Sequence, residues 1–235
     1  MATIIVALDL PSAGAALDVV DELGDAADFY KVGSPLFTRA GPDIVRALVD
    51  RGKRVFLDLK YHDIPSAVAG AVTSAASLGV DLLTLHASGG TAMMRAAREA
   101  AADDGPRLLG VTILTSFAPV DVEEVWQKQV RSVRDEVARL AALAAAAGLH
   151  GIVTSPLEAE SIRRRHGPQF LIVTPGIRPG GEPLGDQTRA ASAADAVRAG
   201  ADYLVVGRPI LRDRDRRAAL ERLAAEAAGA VEVAS

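Results

Sequence analysis

Short apolar stretches recur along the chain, and each is followed by a longer stretch in which apolar residues return at helical spacing. The short stretches show little polar alternation, which is typical of parallel strands covered on both faces. We therefore predict strands at Ile4–Asp9, Phe29–Gly33, Arg54–Lys60, Leu82–His86, Leu108–Leu114, Gly151–Thr154, Leu171–Pro175 and Tyr203–Gly207. Helices are predicted at Ser12–Leu23, Pro42–Asp50, Ser66–Leu78, Ala92–Ala101, Arg131–Ala147, Leu157–Arg165, Ala191–Ala199 and Arg214–Ala228.

Eight strands that alternate with eight helices favour an α/β fold of the (β/α)8 type, a single TIM barrel. A doubly wound open sheet is the alternative. The 235 residues suit one barrel, although length alone would also permit two small domains. Because no linker-like break in composition occurs, we expect one domain over residues 1–235.

Composition and charge narrow the possible classes of function. Hydrophobic residues make up 49% and charged residues 24% of the chain, which is ordinary for a globular protein. The net charge of -4 argues against a general binder of nucleic acids or membrane surfaces, since both need a basic face. The absence of cysteine excludes disulfides and thiolate chemistry. With no recognisable targeting segment, the sequence predicts a cytoplasmic protein.

Polar residues stand at or just beyond the ends of the predicted strands. In a barrel these ends converge on one face, where active sites are built. Charged residues after the first, second, third and eighth strands therefore favour a site there, with salt bridges that close the barrel mouth as the alternative. The residues are Asp9, Lys31, Asp58, Lys60, His86, Thr115, Thr174 and Arg208.

The third strand carries the most informative segment, in which Asp58, Lys60 and Asp63 follow one another. Residues two apart on a strand share a face, so Asp58 and Lys60 are expected on the same side, within reach of Lys31. A substrate carboxylate beside Asp58 would meet a like charge, and Lys60 could protonate the carbanion left by loss of CO2. Such a decarboxylation needs no metal or cofactor. A structural ion network and a hard-metal site at Asp58 and Asp63 are the alternatives, although Lys60 would compete with the metal.

The segments after the seventh and eighth strands suit a phosphate group. Residues 175–189 form a long loop rich in glycine and proline, which is typical of a closing lid, although a plain exposed connector has the same composition. Gly207 permits close approach of the backbone to a ligand, and Arg208 supplies a forked cation. Gln187 could reach over from the lid. Together these residues predict a phosphomonoester site.

Seven motifs are distributed along the whole chain: Ala7-Leu8-Asp9, Tyr30-Lys31-Val32-Gly33, Asp58-Leu59-Lys60-Tyr61-His62-Asp63-Ile64-Pro65, Val111-Thr112-Ile113-Leu114-Thr115-Ser116, Thr174-Pro175-Gly176-Ile177-Arg178, Gly185-Asp186-Gln187-Thr188-Arg189 and Val206-Gly207-Arg208-Pro209-Ile210. In these motifs and in their order the chain resembles the orotidine 5′-monophosphate decarboxylase family of the bacterial type. The resemblance implies a cofactor-free and metal-free enzyme that converts orotidine 5′-monophosphate to UMP in de novo pyrimidine biosynthesis. It also implies a homodimer.

The resemblance further implies a role for each matching residue. Asp9 and Lys31 would hold the ribose hydroxyls. Asp58 would crowd the substrate carboxylate, and Lys60 would protonate C6 of the pyrimidine. Asp63 would be donated across the dimer interface, together with Ile64. The pyrimidine would contact Thr115, and the phosphate would be held by Arg178, Gln187, Gly207 and Arg208.

One position departs from the family pattern, because Ala67 stands where a threonine usually reaches the ribose of the neighbouring site. Two rival functions stay open: a Mg²⁺-dependent sugar-phosphate decarboxylase or aldolase of the same barrel type, and a catalytically silent phosphate-binding barrel. His62 and His86 are expected to serve structure rather than catalysis. The segment 117–129, which contains Trp126, is expected to form a small helix or a second lid.

Overall fold

The computed structural model describes residues 2–127, 132–178 and 191–232. In these residues eight parallel strands pair in chain order, and the first pairs with the eighth, so that the sheet closes into a barrel. The strands are β1 Thr3–Ala7, β2 Phe29–Gly33, β3 Arg54–Tyr61, β4 Leu82–His86, β5 Arg107–Val111, β6 Gly151–Val153, β7 Leu171–Thr174 and β8 Tyr203–Val206. The barrel prediction is confirmed, and the open-sheet alternative is wrong.

Helices surround the barrel and connect the strands. They are α1 Ala13–Leu23, α2 Ser34–Ala40, α3 Asp43–Val49, α4 Pro65–Ala76, α5 Gly90–Ala101, α6 Pro119–Trp126, α7 Val133–Ala146, α8 Pro156–His166, α9 Ala193–Arg198, α10 Arg208–Leu211 and α11 Arg216–Glu232. Of the helices in the described ranges, none is both long enough and apolar enough to cross a membrane.

Alternate residues of each strand point into the barrel, and this alternation places the charged groups. Phe29 and Phe56 lie in the apolar cluster inside the barrel, together with Ile5, Leu82 and Tyr203. Residues two positions further along a strand face the same side. Lys31 and Asp58 therefore follow Phe29 and Phe56 on the inner face, nearer the carboxyl ends of the strands. The barrel has an apolar floor below a charged rim.

Arginine side chains pack against the aromatic residues at the amino ends of the strands. The Arg54 guanidinium lies 4.0 Å from the centre of the Phe29 ring and contacts Asp81, with 3.0 Å between Nε and Oδ1. Arg107 donates a hydrogen bond to the Tyr203 hydroxyl over 2.9 Å. The aromatic side chains at the amino ends of the strands therefore have polar partners, at the end of the barrel opposite to the charged rim.

Several strands end earlier than the sequence pattern predicts. β5 ends at Val111 rather than Leu114, because its neighbour β6 ends at Val153 and leaves nothing further to pair with. The Thr112 amide makes the last contact, to the Val153 carbonyl over 3.3 Å. β1 ends at Ala7 rather than Asp9, after which only the Leu8 amide still reaches β2. In the sequence, the apolar residues of these strands continue beyond the last residue that has a hydrogen-bonding partner on a neighbouring strand.

Two short helices were absent from the prediction. α2 has seven residues and α10 has four, too few for apolar periodicity to be visible. The segment 117–129, expected to be a helix or a lid, contains α6 up to Trp126. Among the longer helices, α1 ends at Leu23 as predicted, where Gly24 follows at φ 51°, and α7 ends within one residue of its predicted end, before Gly148 at φ 82°, a conformation that favours glycine. α11 continues to Glu232, beyond the predicted end at Ala228, and α4 stops at Ala76 rather than Leu78.

Candidate active site

A cleft of about 480 Å³ opens at the carboxyl ends of the strands. Eight of the residues predicted to form the site line this cleft: Asp9, Lys31, Asp58, Lys60, Thr115, Arg178, Gly207 and Arg208. Apolar side chains such as Phe56, Val111 and Val205 line it from the barrel interior. The cleft therefore combines an apolar base with a charged rim. The active-site face expected for a barrel is the one on which these residues converge.

Asp58 lies between two lysines. The Lys60 ammonium is 2.8 Å from each of the two carboxylate oxygens of Asp58. Lys31 approaches from β2, with 3.7 Å between its Nζ and Oδ2 of Asp58, and it also contacts Oδ1 of Asp9 at 3.1 Å. Lys31, Asp58 and Lys60 therefore lie together as predicted from the sequence, and Asp9 joins them through Lys31.

This charged cluster keeps Asp58 ionised although its side chain is only 12% exposed. Burial would raise the pKa of the Asp58 carboxyl, but Lys31 and Lys60, with hydrogen bonds from Lys60 and Thr84, outweigh burial and lower it. A carboxylate is thus held charged in the rim of the cleft, above its apolar base. Such a group repels a second anion placed beside it.

The contact between Lys60 and Asp58 depends on an irregularity that the sequence did not predict. Lys60 has φ 53°, in the left-handed region, so β3 is not a regular strand at this point. Leu57 pairs with Leu83 and Tyr61 with Leu85, so three residues of β3 face Thr84 alone. The two side chains do meet, as predicted, but through a bulge rather than through regular alternation.

Asp63 and Ile64 lie outside the cleft of their own chain. Both residues are exposed, Ile64 at 65%, and the Asp63 carboxylate accepts a hydrogen bond from the adjacent Ile64 amide over 2.6 Å. Exposed residues continue from His62 to Ala67. Within one chain the predicted network therefore contains Lys31, Asp58 and Lys60 but not Asp63.

The side of the cleft formed after β7 and β8, across the barrel from β3, is rich in guanidinium groups. Gly207 precedes α10, and Arg208 is the first residue of that helix. Arg178 follows β7, and its amide donates to the Ala191 carbonyl over 2.9 Å. A side chain at position 207 would meet Ala7 and Asp9 only at ordinary contact distances, so it would mainly occupy space in the cleft. Gln187 lies outside the described residues.

Two residues of the site escaped sequence reasoning. Arg212, one turn after Arg208, lines the same cleft. An i, i+4 spacing of arginines after a strand could have indicated it, but α10 was not predicted. Thr84 lies within β4 and contacts Asp58 and Lys60. A buried threonine in an apolar strand carries no sequence signal of that kind.

His86 and His62 pack against each other beside the charged cluster. Their ring centres are 5.4 Å apart, and the rings are tilted by 39°. Burial, and then His62 and Lys60, lower the pKa of His86, which favours its neutral form. Among the described residues no group of three or more histidine, aspartate and glutamate side chains could hold a metal ion. Neither histidine lines the cleft, in agreement with a structural role.

Comparison with known proteins agrees with this geometry. Residues 2–223 match the model of the orotidine 5′-phosphate decarboxylase / HUMPS family. The chain belongs to this family. An orotidine 5′-phosphate decarboxylase of Halorhodospira halophila is 51% identical over 229 residues, which cover 97% of this chain and 96% of the relative. That of Moorella thermoacetica is 48% identical over 233 residues, covering 95% and 91%.

A solved structure of the decarboxylase family supports the fold. The crystal structure of orotidine 5′-phosphate decarboxylase from Lactobacillus acidophilus has a TM-score of 0.86 and 35% sequence identity, and the match covers 97% of this chain and 99% of the other. The resemblance seen in the motifs is thus confirmed over nearly the whole length.

Proposed function

We propose that this protein decarboxylates orotidine 5′-phosphate to UMP, as a single-domain barrel that needs neither metal nor cofactor. The observation that carries the proposal is the position of Lys60, whose ammonium contacts both oxygens of Asp58 in the charged rim of the cleft. Arginines stand at the other end of the same cleft. A substrate with a carboxylate at one end and a phosphate at the other suits this distribution of charge. The relatives carry the name of this activity.

The proposed reaction breaks one bond and forms one. The carboxylate of the substrate lies beside Asp58, whose lowered pKa keeps it negative, so the two anions repel. Loss of CO2 relieves the repulsion and leaves the electron pair on C6 of the pyrimidine. Lys60 stabilises that carbanion and donates a proton to it, and the lysine then regains a proton from solvent. Lys31 holds Asp58 and Asp9 in place during the reaction.

The phosphate and the base would be bound by residues that follow different strands of the barrel. Arg178 and Arg208 offer forked guanidinium groups to the phosphate, and Gly207 allows the backbone to approach it. Gln187 is proposed to add a contact from the lid, and Thr115 to contact the pyrimidine. Asp9 and Lys31 are proposed to hold the ribose hydroxyls.

A metal-dependent sugar-phosphate reaction is the less favoured candidate. A divalent metal in this family's barrel would need the oxygens of Asp58 as ligands. Those oxygens already accept hydrogen bonds from Lys60 and Thr84. An ammonium in that position repels a cation, so the donor set fits a lysine acid better than a metal.

We further propose that two chains associate and that Asp63 completes the cleft of the partner chain. Asp63 and Ile64 are exposed and do not line the cleft of their own chain, and Ile64 is 65% exposed. An exposed isoleucine beside a carboxylate suits an interface between two chains, in which the isoleucine is buried and the carboxylate enters the cleft of the partner chain. Ser66 could partly replace the hydroxyl that Ala67 lacks. A cytoplasmic location stays a prediction from the sequence.

The decisive experiment mixes the purified protein with orotidine 5′-phosphate in EDTA and follows the loss of absorbance. We expect turnover in EDTA, whereas activity that disappears with EDTA and returns with Mg²⁺ would favour the metal-dependent reaction. Lys60→Ala should abolish turnover and still bind UMP. Lys53→Ala is the matched control, because Lys53 contacts the Gly24 and Ala27 carbonyls away from the cleft.

A complementation experiment tests the shared site separately. Lys60→Ala and Asp63→Ala chains, each inactive alone, should recover part of the activity when they exchange subunits, because one site of each hybrid dimer is then complete. Subunit exchange is verified with differently tagged chains. Exchange without any recovery of activity would remove the shared-site proposal and leave the decarboxylation itself in place.

A further inference from the structure

We infer that Thr84 is a positioning residue for the Asp58–Lys60 pair: one buried hydroxyl sets both the backbone of the lysine and the orientation of the carboxylate. The inference rests on the proposed function and extends it to a residue of β4 that touches no substrate. Thr84 has no exposed surface. Its oxygen accepts a hydrogen bond from the Lys60 amide over 2.9 Å, and its hydroxyl donates to Oδ1 of Asp58 over 2.9 Å.

The need for Thr84 follows from the bulge in β3. Because Asp58, Leu59 and Lys60 all face a single residue of β4, the Lys60 amide has lost the backbone carbonyl that a regular parallel ladder would provide. A buried amide without an acceptor is costly. The Thr84 oxygen takes the place of that carbonyl. It therefore stabilises the left-handed conformation at Lys60, which a residue other than glycine rarely adopts.

The direction of the second hydrogen bond follows from the first. A hydroxyl has one hydrogen, and the Thr84 oxygen already accepts from the Lys60 amide, so its hydrogen goes to Asp58. Only an unprotonated carboxylate oxygen can accept it. The same oxygen of Asp58 also receives the Lys60 ammonium over 2.8 Å. Backbone amide, hydroxyl, carboxylate and ammonium thus form a closed ring that returns to Lys60.

The charged surroundings of Asp58 come from three strands and leave a distinct role for Thr84. Lys31 faces Asp58 from β2, Lys60 from its own strand, and His86 stands near Lys60 at the end of β4. The lysines supply charge that the loss of Thr84 would not remove. What Thr84 adds is direction: it fixes which way the carboxylate and the ammonium point.

The test compares Thr84→Val, which keeps the shape and removes the hydroxyl, with Thr84→Ser, which keeps the hydroxyl. For Thr84→Val we expect kcat to fall by about ten- to a hundredfold, as the loss of a buried partner predicts. The Kd of UMP, measured by calorimetry, should change by less than about threefold, because the phosphate end of the cleft is untouched. Thr84→Ser should restore most of kcat.

The pH profile separates positioning from a general loss of stability. The Thr84 hydrogen bond helps to lower the pKa of Asp58, so its removal raises that pKa. The acidic limb of kcat should therefore move to higher pH in Thr84→Val and return in Thr84→Ser. Thr112→Val is the matched control: its buried hydroxyl donates to the Val153 carbonyl over 3.0 Å, away from Asp58, and both kcat and the limb should stay unchanged.

Each outcome decides the inference. Thr84→Val with wild-type kcat and an unmoved acidic limb would overturn it, and so would a serine variant as impaired as the valine variant, since packing of the methyl group would then be responsible. Thr84→Ala replaces the valine variant if that one does not fold, and failure of both to fold would make Thr84 a folding residue instead. A wild-type protein that does not consume orotidine 5′-phosphate would contradict the proposed function and therefore also this inference.

Discussion

Replacing Lys31 by methionine tests whether the charged rim of the barrel contributes to the stability of the fold. Methionine keeps most of the length of the side chain and removes only the ammonium. Among the residues that the structure describes, Asp58 would then keep Lys60 as its one ion-pair partner, and Asp9, more than half exposed, would be compensated by water. The perturbation therefore falls almost entirely on Asp58.

The size of the effect follows from the distance. At 3.7 Å and an effective dielectric constant of 20, Lys31 and Asp58 attract each other by about 4.5 kcal/mol. Part of this lost attraction is offset, because the variant no longer has the desolvation cost of a lysine charge that is only 10% exposed. Since Asp58 keeps Lys60 and Thr84, we expect the free energy of unfolding to fall by about 2–3 kcal/mol, below the usual loss for a broken buried pair. In a chain of this length that corresponds to about 5–10 °C in Tm.

The assay is urea and thermal unfolding at neutral and at acidic pH, with Arg46→Met as the control. Arg46 pairs with Asp43 on the exposed surface, and its loss should cost less than about 1 kcal/mol. The lowered pKa of Asp58 gives stability that is present above the pKa of the unfolded chain and lost as the pH falls through the folded pKa. The difference between Lys31→Met and wild type should therefore shrink at acidic pH. A variant as stable as wild type at neutral pH, or a deficit that does not depend on pH, would refute the reasoning.

Three further perturbations have expected outcomes. Gly151→Ala should destabilise the barrel by about 3 kcal/mol or more and reduce the yield of folded protein, because its Cβ would lie 2.2 Å from the Leu171 carbonyl oxygen; wild-type urea unfolding would contradict this. Burial lowers the pKa of His150, whose Nδ1 accepts a hydrogen bond from the Leu108 amide. The unfolded chain therefore binds a proton more readily, and the free energy of unfolding should fall as the pH drops below about 6.5. His150→Gln should make that fall smaller, as measured by urea unfolding above and below this pH. Arg212→Ala should raise KM for orotidine 5′-phosphate severalfold and leave kcat unchanged, because Arg212 lines the cleft with Arg208, where we propose that the phosphate binds. A selective fall in kcat would assign Arg212 to the chemistry instead.

The sequence alone predicted the barrel and most of its rim because the signals are local. Apolar runs with intervening helical periods indicate parallel strands, and the carboxyl ends of such strands converge whatever the details of packing. Asp9, Lys31, Asp58 and Arg208 could therefore be placed in one cleft before any coordinates. Strand ends were less predictable, since β5 stops at Val111 for lack of a partner on β6, a non-local cause.

The parts of the site that escaped prediction depend on contacts between strands. The left-handed conformation of Lys60 accompanies the shift in register of β3 against β4, and this register cannot be predicted from the sequence of either strand alone. Thr84 was missed for the same reason, because its role exists only once it faces Lys60. The exposure of Asp63 in its own chain also needed coordinates, whereas the expectation that it serves a partner chain came from the family resemblance.

The bulge at Lys60 also limits what protein engineers can do with this motif. Copying Asp58, Leu59 and Lys60 onto a regular strand of another barrel would place the two Cα atoms about 7 Å apart along the strand axis, at ~3.3 Å of rise per residue, and would lose the left-handed backbone that directs the Lys60 side chain. A successful graft must also import the two-residue slip against the neighbouring strand and a hydroxyl facing it. The transferable unit is thus a pair of strands with their offset, and a designer should expect linear transplants of the tripeptide to be inert.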